Sequence, residues 1–428
     1  MAKTVNIITL GCSKNTVDSE RLARQLGAVG YEISFDSNIF SDIVIINTCG
    51  FIHDAKEESI EMILQAIHAK EAGEIESVYV IGCLSERYTN DLRTEIPEVD
   101  SYFGARGFID IIQELHAQAN KNILHERIVS TPKHFSYLKI AEGCNRSCAF
   151  CAIPAIRGAH ISEPIEQLFN EALYLQSVGV KELSIISQDL SYYGYDLYKK
   201  NALYDLLEKL ISIQGIEWFR LHYLYPNNFP LNILQLMKHS SKICNYIDIP
   251  FQHISDTVLS YMKRGFTEKE TWKLIENIRK IIPDIAIRTT LIVGHPGETD
   301  MEFNKLHDFV RQVGFDRLGV FTYSHEEGTY AGDNYKDEIP EKIKQERLDI
   351  LMNTQQDISL KKNMSMVGTI QQVIIDRKEQ NSYIGRTQFD AYEVDNEVII
   401  TTEKLLEIGN FYNVTITDAD VYDVFATV

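Results

Sequence analysis

Apolar residues recur along the chain in two rhythms. The runs Val5–Leu10, Asp42–Asn47 and Ser77–Ile81 read as strands, and Asp18–Leu26 and Ala55–Lys70 between them carry apolar residues at helical spacing. Such alternation predicts a parallel sheet. Each of the three strands ends within two residues of a cysteine, in Gly11-Cys12, Thr48-Cys49 and Gly82-Cys83. The carboxyl ends of parallel strands share one sheet edge, where open α/β sheets build ligand sites. The three thiols are therefore expected to converge, although 36 and 33 residues separate them.

The alternation continues through six more strand-like runs: Phe135–Ile140, Leu183–Ser187, Trp218–Leu224, Tyr246–Phe251, Ala286–Val293 and Leu318–Tyr323. Helical patterns follow at Glu163–Val178, Ala202–Ile213, Asn232–His239, Asp256–Lys263, Lys269–Ile281 and Asp300–Val313. Six such units predict a partial barrel of parallel strands with its chemistry at their C-terminal ends. Glu341–Lys362 reads as a polar connecting helix. Beyond it the chain is rich in Val, Ile, Thr and Tyr, with turn signals at Asn381-Ser382, Asp395-Asn396 and Gly409-Asn410, which predicts a small all-β barrel. The fold class is thus α/β in three domains: an open parallel α/β domain over 1–125, a partial barrel of six strand–helix units over 130–362, and a closed β-barrel over 363–428.

Composition narrows the function. With 428 residues, 44% hydrophobic and 24% charged, the chain suits a soluble multidomain protein. No apolar run approaches the roughly 18 residues of a membrane span. The opening Met1-Ala2-Lys3-Thr4 leads into a run too short and broken for a signal peptide, so the cytoplasm is the expected compartment. The formal charge is −19. An acidic surface repels nucleic-acid phosphates and favours a basic partner. Seven cysteines in a large cytosolic chain point to metal ligation or catalysis rather than to disulfides.

The strongest chemical signal is Cys144-Asn145-Arg146-Ser147-Cys148-Ala149-Phe150-Cys151, directly after a strand. A four-iron cluster takes four ligands, so three thiolates leave one iron open. S-adenosylmethionine can chelate that iron and be cleaved reductively to a 5′-deoxyadenosyl radical, the protein supplying position. A structural zinc site on the same cysteines would want a fourth ligand, and His160 is the closest spare one. Cofactor-binding candidates lie at later strand ends: Gln188 in Ser187-Gln188-Asp189, Gln252 and His253 in Pro250–His253, and Gly294 and Glu298 in Thr290–Glu298. The glycine and proline of the last stretch serve a turn equally well, and His253 a loop cap. Tyr192, Tyr193, Tyr195 and Tyr198 suit loop packing better than base stacking in so acidic a chain. Cys244, at the start of an apolar strand, reads as a buried structural thiol.

The C-x3-C-x-aromatic-C spacing, with Phe150 as the aromatic, Gly143 before it and Ile153-Pro154 after it, resembles the radical S-adenosylmethionine superfamily. The whole chain resembles that superfamily's methylthiotransferases, which have an N-terminal three-cysteine domain, a radical core and a C-terminal TRAM barrel. The resemblance implies two four-iron, four-sulfur clusters, one on Cys144, Cys148 and Cys151 and an auxiliary one on Cys12, Cys49 and Cys83. It implies S-adenosylmethionine contacted by Phe150, Ile153, Gln188, Gln252, His253, Gly294 and Glu298. It also implies an electron donor such as flavodoxin or ferredoxin, and a sulfur source. One branch modifies an adenosine of transfer RNA; the other modifies an aspartate β-carbon of small-subunit ribosomal protein S-twelve, replacing C–H by C–S–CH3. Leu10–Glu20, Asn47–Ile52 with Ala55–Ser59, and His222–Pro226 look like the ribosomal-protein branch. The predicted barrel carries eleven acidic and four basic side chains, a balance that repels phosphate and can steer a basic protein. A non-catalytic iron–sulfur electron-transfer or scaffold protein would explain the cysteines but not the six-unit core.

Overall fold

The computed structural model describes residues 3–37, 41–115, 118–120, 123 and 125–428. The opening Met1-Ala2 lies outside the described residues, and so do 121, 122 and 124 beside the expected first domain boundary. The chain folds as two compact units. One comprises Met1–Thr131, Tyr137–Arg146 and Cys151–Tyr174; the other comprises Pro132–Ser136, Ser147–Phe150 and Leu175–Val428.

In the first unit five strands form one sheet: β1 (Thr4–Thr9), β2 (Glu32–Phe35), β3 (Ile43–Thr48), β4 (Ser77–Gly82) and β5 (Ser101–Tyr102), in the order β2-β1-β3-β4-β5. All pairs are parallel. Every residue of β3, Ile-Val-Ile-Ile-Asn-Thr, is buried, as a central strand covered on both faces requires. The crossovers are α1 (Ser13–Ala28), α2 (His53–Glu71) and α3 (Cys83–Glu95). Val44, Ile46, Val78 and Val80 pack with Ile63 and Ile67 of α2 on one face. Val5, Ile7, Ile43 and Ile45 pack with Leu22 and Leu26 of α1 on the other, so the period-two alternation sorts the sheet's two cores. The strand β6 (Phe135–Lys139) begins in the second unit and ends in the first. A short hairpin, β7 (Ala141–Glu142) with β8 (Ile161–Ser162), follows in the first unit.

The second unit contains β9 (Glu182–Ile186), β10 (Trp218–Leu221), β11 (Ile243–Asp248), β12 (Ala286–Val293) and β13 (Arg317–Thr322). They form the sheet β13-β12-β11-β10-β9-β6, with parallel pairing from β9 to β13. The six expected strands are all present. β10 stops three residues before the expected Leu224, where Tyr223 turns the backbone into the left-handed region at φ 61°, and β11 begins at Ile243 rather than Tyr246. Crossover helices include Asn232–His239, Glu268–Ile281 and Asp300–Val313; a capping box between Thr267 and Glu270 starts the second of these.

A 24-residue helix, Glu341–Met364, leads into β14 (Ile370–Glu379), β15 (Ser382–Thr387), β16 (Val398–Thr401), β17 (Phe411–Ala419) and β18 (Val424–Thr427), which close as the barrel β14-β15-β16-β18-β17. The barrel packs on the N-terminal ends of the core strands. Trp218, Cys244, Tyr246 and Ala286 meet Ile374, Ala391, Phe389 and Phe411 there, and the Trp218 and Phe411 rings stand edge to face at 4.8 Å. Buried ions fix the contact. Glu182 lies between Arg220 at 2.9 Å and Arg386 at 2.8 Å, and Asp376 joins Arg386 at 2.6 Å and His134 at 2.9 Å. Asp390 pairs with Arg317, and Asp395 lies 3.4 Å from Arg288. Three of the barrel's acids are thus buried in docking, leaving eight acidic and three basic side chains outside these pairs. Among the described residues no helix is long and apolar enough to cross a membrane.

Candidate active site

The first site is built by sheet register. Thr9 pairs with Asn47, and Asn47 with Ile81, so the next residues out run in step to Gly11, Cys49 and Cys83 across three adjacent strands. Cys12 follows as the N-cap of α1, and Cys83 is the first residue of α3. The approach is too close for side chains at the intervening glycines. A Cβ at Gly11, which has φ 90°, would fall 2.7 Å from Cys49 Cβ, and one at Gly50 would fall 2.6 Å from Leu84 Cα.

Asn15 ties the three strand ends together. Its amide Nδ2 donates to Leu10 O at 2.8 Å and to Thr48 O at 3.2 Å, and its Oδ1 accepts from the Cys83 thiol at 4.0 Å. Arg157 donates to the same Oδ1. Burial pushes the Cys49 thiol up, and it pushes the Cys83 thiol up to about 11 against the opposing pull of Arg157. Cys83 packs with Ala105, Ala152 and Ile156. Three convergent thiols beside a buried cation are a donor set that fits an iron–sulfur cluster, whose thiolates a cation stabilises on deprotonation.

The eight residues from Cys144 to Cys151 hold the second set, with Cys144 and Cys151 in the first unit and Cys148 in the second. In the first unit Gly158 O accepts the Cys144 amide at 3.1 Å, the Arg146 amide donates to Cys144 Sγ at 3.4 Å, and Ile153 opens the helix Ile153–Arg157. In the second unit Cys148 Sγ accepts from Arg264 Nη1 at 3.2 Å. Arg264 lies over the Tyr225 ring and also donates to Pro250 O, so the loops after β10 and β11 position it. Ala149 donates to Met262 O at 2.9 Å and accepts from the Ala331 amide at 2.7 Å.

Phe150 stands edge-on to His295, with ring centroids 6.2 Å apart. His295 belongs to the turn after β12, where His253 Nε2 lies 3.7 Å from Glu298. Structure therefore brings Phe150, His253, Gly294 and Glu298 together around a histidine that sequence reasoning quoted but did not single out. Both oxygens of Glu298 are engaged, one by the Gly294 amide at 2.7 Å and one by Arg347 at 3.0 Å, so Glu298 braces the loop. Burial holds His253 down to about 3 and His295 down to about 4, keeping both neutral. His295 Nδ1 donates to Pro296 O, and its buried Nε2 has no partner among the described residues. Gln252, four residues past β11, sits at φ 71°, held by Thr290 and Ile292, and its buried Oε1 likewise has no partner among the described residues. Gln188 follows β9 half-buried. A strained backbone and unsatisfied buried acceptors at adjoining strand ends are what a bound polar cofactor would satisfy. Cys244 is buried at the barrel contact, and burial pushes its thiol up to about 12.

Comparison with known proteins adds to this geometry. Residues 4–104 match the "Uncharacterized protein family UPF0004", 138–310 the Radical SAM superfamily, and 367–428 the TRAM domain. The chain is 53% identical over 428 residues to the ribosomal protein uS12 methylthiotransferase RimO of Bacteroides fragilis, covering 100% of this chain and 99% of that one. It belongs to the RimO family of methylthiotransferases. RimO proteins of Bacteroides thetaiotaomicron and Flavobacterium johnsoniae are 51% and 50% identical, the first over 100% of this chain and 98% of its own, the second over 98% and 97%. As a radical SAM enzyme, a RimO family member uses S-adenosylmethionine and a four-iron, four-sulfur cluster. Solved structures share the fold. The radical S-adenosylmethionine methyltransferase TsrM from Kitasatospora setae superposes with TM-score 0.57 at 13% identity, over 78% of this chain and 77% of that one. The cobalamin-dependent enzyme OxsB gives TM-score 0.54 at 13% identity, over 83% and 56%.

Proposed function

We propose that this chain methylthiolates the β-carbon of an aspartate in ribosomal protein uS12, using two four-iron clusters. Identity of 53% across all 428 residues carries the substrate assignment. The convergence of Cys12, Cys49 and Cys83 supports a second cluster beside the one on Cys144, Cys148 and Cys151. When bound, the latter supplies the electron for reductive cleavage of S-adenosylmethionine.

The chain's own residues do the rest. Arg264 holds the Cys148 sulfur by a hydrogen bond, and the Ala149 clamps fix the ligand segment before any cofactor arrives. Gln252 Oε1 and His295 Nε2 would offer acceptors to a polar cofactor, and Phe150 stands edge-on to His295 beside them in the ligand segment. His295 stays neutral, so Nε2 presents a lone pair. Asn15 and Arg157 hold the second thiol set. The remaining acids of the barrel favour a basic protein over nucleic acid, and ribosomal proteins are typically basic. The reaction also needs an electron donor of the flavodoxin or ferredoxin kind and a sulfur source.

The test is anaerobic incubation of reconstituted, reduced protein with S-adenosylmethionine and uS12, with mass spectrometry of the substrate. Release of 5′-deoxyadenosine and a methylthio group on one aspartate are expected. Failure to release 5′-deoxyadenosine would return the protein to a scaffold role. Modification of transfer RNA in place of uS12 would move it to the other branch.

A further inference from the structure

We infer that Arg157 is the positioning residue of the Cys12, Cys49 and Cys83 site: its guanidinium holds the Cys83 sulfur and raises the reduction potential of a cluster bound there. The inference rests on the reading that these cysteines hold a cluster.

Arg157 closes the short helix Ile153–Arg157, which begins two residues after Cys151. Its side chain is 2% exposed. One end, Nη1, lies 2.7 Å from Asp18 and 3.2 Å from Glu142. Both acids also bind Lys139, so two cations and two anions close a neutral buried set. Burial works against the guanidinium's charge, but Asp18 and Glu142 outweigh it and keep the group cationic.

That pairing leaves Nη2 to face the other way. It donates to Asn15 Oδ1, the atom that also accepts from the Cys83 thiol, so one carboxamide oxygen links the guanidinium to that sulfur. The rigid planar fork serves the carboxylates through one nitrogen and Asn15 Oδ1 through the other at fixed geometry, which the flexible ammonium of a lysine does not reproduce. The same dipeptide also reaches the first ligand of the radical motif, because Gly158 O accepts the Cys144 amide. One corner of the chain therefore fixes a sulfur at one site and the ligand backbone at the other.

A cluster gains negative charge on reduction, so the nearest cation and the hydrogen bonds to its sulfurs favour the reduced form. Asp18 and Glu142 take Nη1 while Nη2 bonds the oxygen that accepts from Cys83, so the guanidinium is the charged group linked to the sulfur through a single atom.

The test uses the full chain with Cys144, Cys148 and Cys151 changed to Ala, reconstituted anaerobically with iron and sulfide. A single cluster then reports in a redox titration followed by electron paramagnetic resonance. In that background Arg157→Gln should shift the oxidised-to-reduced equilibrium at least tenfold toward the oxidised form, a fall of about 59 mV for one electron. Arg157→Lys, which keeps the charge, should shift it less than half as far. Arg157→Gln removes a charge from a buried set, so Arg157→Gln with Asp18→Asn, which restores neutrality, is the second variant, and its potential should fall as well. An unchanged potential in either glutamine variant overturns the role of Arg157 while leaving the cluster assignment standing. Absence of any cluster from the three-alanine background overturns the cluster assignment itself, and this inference with it.

Discussion

Charge reversal at Asp395 separates docking of the barrel from attraction of a partner. As a sequence, Asp390, Glu393, Asp395 and Glu397 form one acidic stretch suited to meeting a basic protein. The fold divides them. The Asp395 side chain is 1% exposed; its Oδ1 lies 3.4 Å from Arg288 Nε, and its Oδ2 accepts from Tyr246 Oη at 2.8 Å and from the Ala391 amide at 2.9 Å. Asp395→Lys removes the acceptor of two hydrogen bonds, each worth about 1 kcal/mol net. It also sets a buried ammonium beside Arg288, and breaking such a pair costs about 3–5 kcal/mol. Together these come to about 5–7 kcal/mol, and at about 2–4 °C per kcal/mol for a unit of this size the melting temperature should fall by roughly 10–28 °C. Glu403 is exposed on the same barrel, so Glu403→Lys should stay within about 0.5 kcal/mol of wild type. The assay is thermal unfolding of the full chain beside association kinetics with uS12 at low and high salt. Glu403→Lys should slow association at low salt without lowering the melting point. An Asp395→Lys protein that melts within about 2 °C of wild type refutes the claim that this carboxylate is a docking group.

Two further outcomes follow from the sites. Replacing Cys144, Cys148 and Cys151 by Ala should leave about half the iron, whereas replacing Cys12, Cys49 and Cys83 should preserve 5′-deoxyadenosine release and abolish methylthiolation, with Cys244→Ala changing neither; total loss of iron from either triple variant contradicts two separate sites. The buried His253 is held at about 3 against 6.5 for the free side chain, so its stability contribution is full above pH 6.5 and is lost as pH falls toward 3. His253→Gln should flatten the decline of the urea midpoint between pH 7 and pH 5 (roughly the upper half of that window), and an equally steep decline in the variant counts against a neutral buried imidazole.

Much of this architecture was legible in the sequence because it rests on local pattern. β1, β3 and β4 each announce themselves as apolar runs ending in a cysteine, and parallel pairing alone brings those ends to one edge. The six core strands and the three barrel turns were visible for the same reason. β2 and β5, with four and two residues, are too short to carry a pattern and exist because longer neighbours offer them an edge. The partners of the cysteines were not legible. Asn15 and Arg157 stand 142 residues apart, and Arg264 stands 116 from Cys148; only the tertiary fold pairs them. The place of Glu298 at a strand end suggests a cofactor contact. Whether such a carboxylate faces a ligand or its own loop depends on Arg347, which arrives from a distant helix.

The barrel's position also limits what its charge can do. It touches β12 at Ala286 and Arg288, whereas the turn bearing His295 and Glu298 leaves the other end. Eight residues of strand span about 25 Å. Exposed charges are screened beyond a Debye length of about 8 Å at physiological salt, so the barrel's acids exert little field on the reacting carbon. They act on the approach of a basic substrate and its retention, which makes association salt-sensitive. On the proposed function, the choice of which aspartate reacts would fall to residues at the C-terminal strand ends, where Gln252 and His295 lie. A variant that alters only exposed barrel acids should therefore change how fast substrate arrives and leave the modified position unchanged.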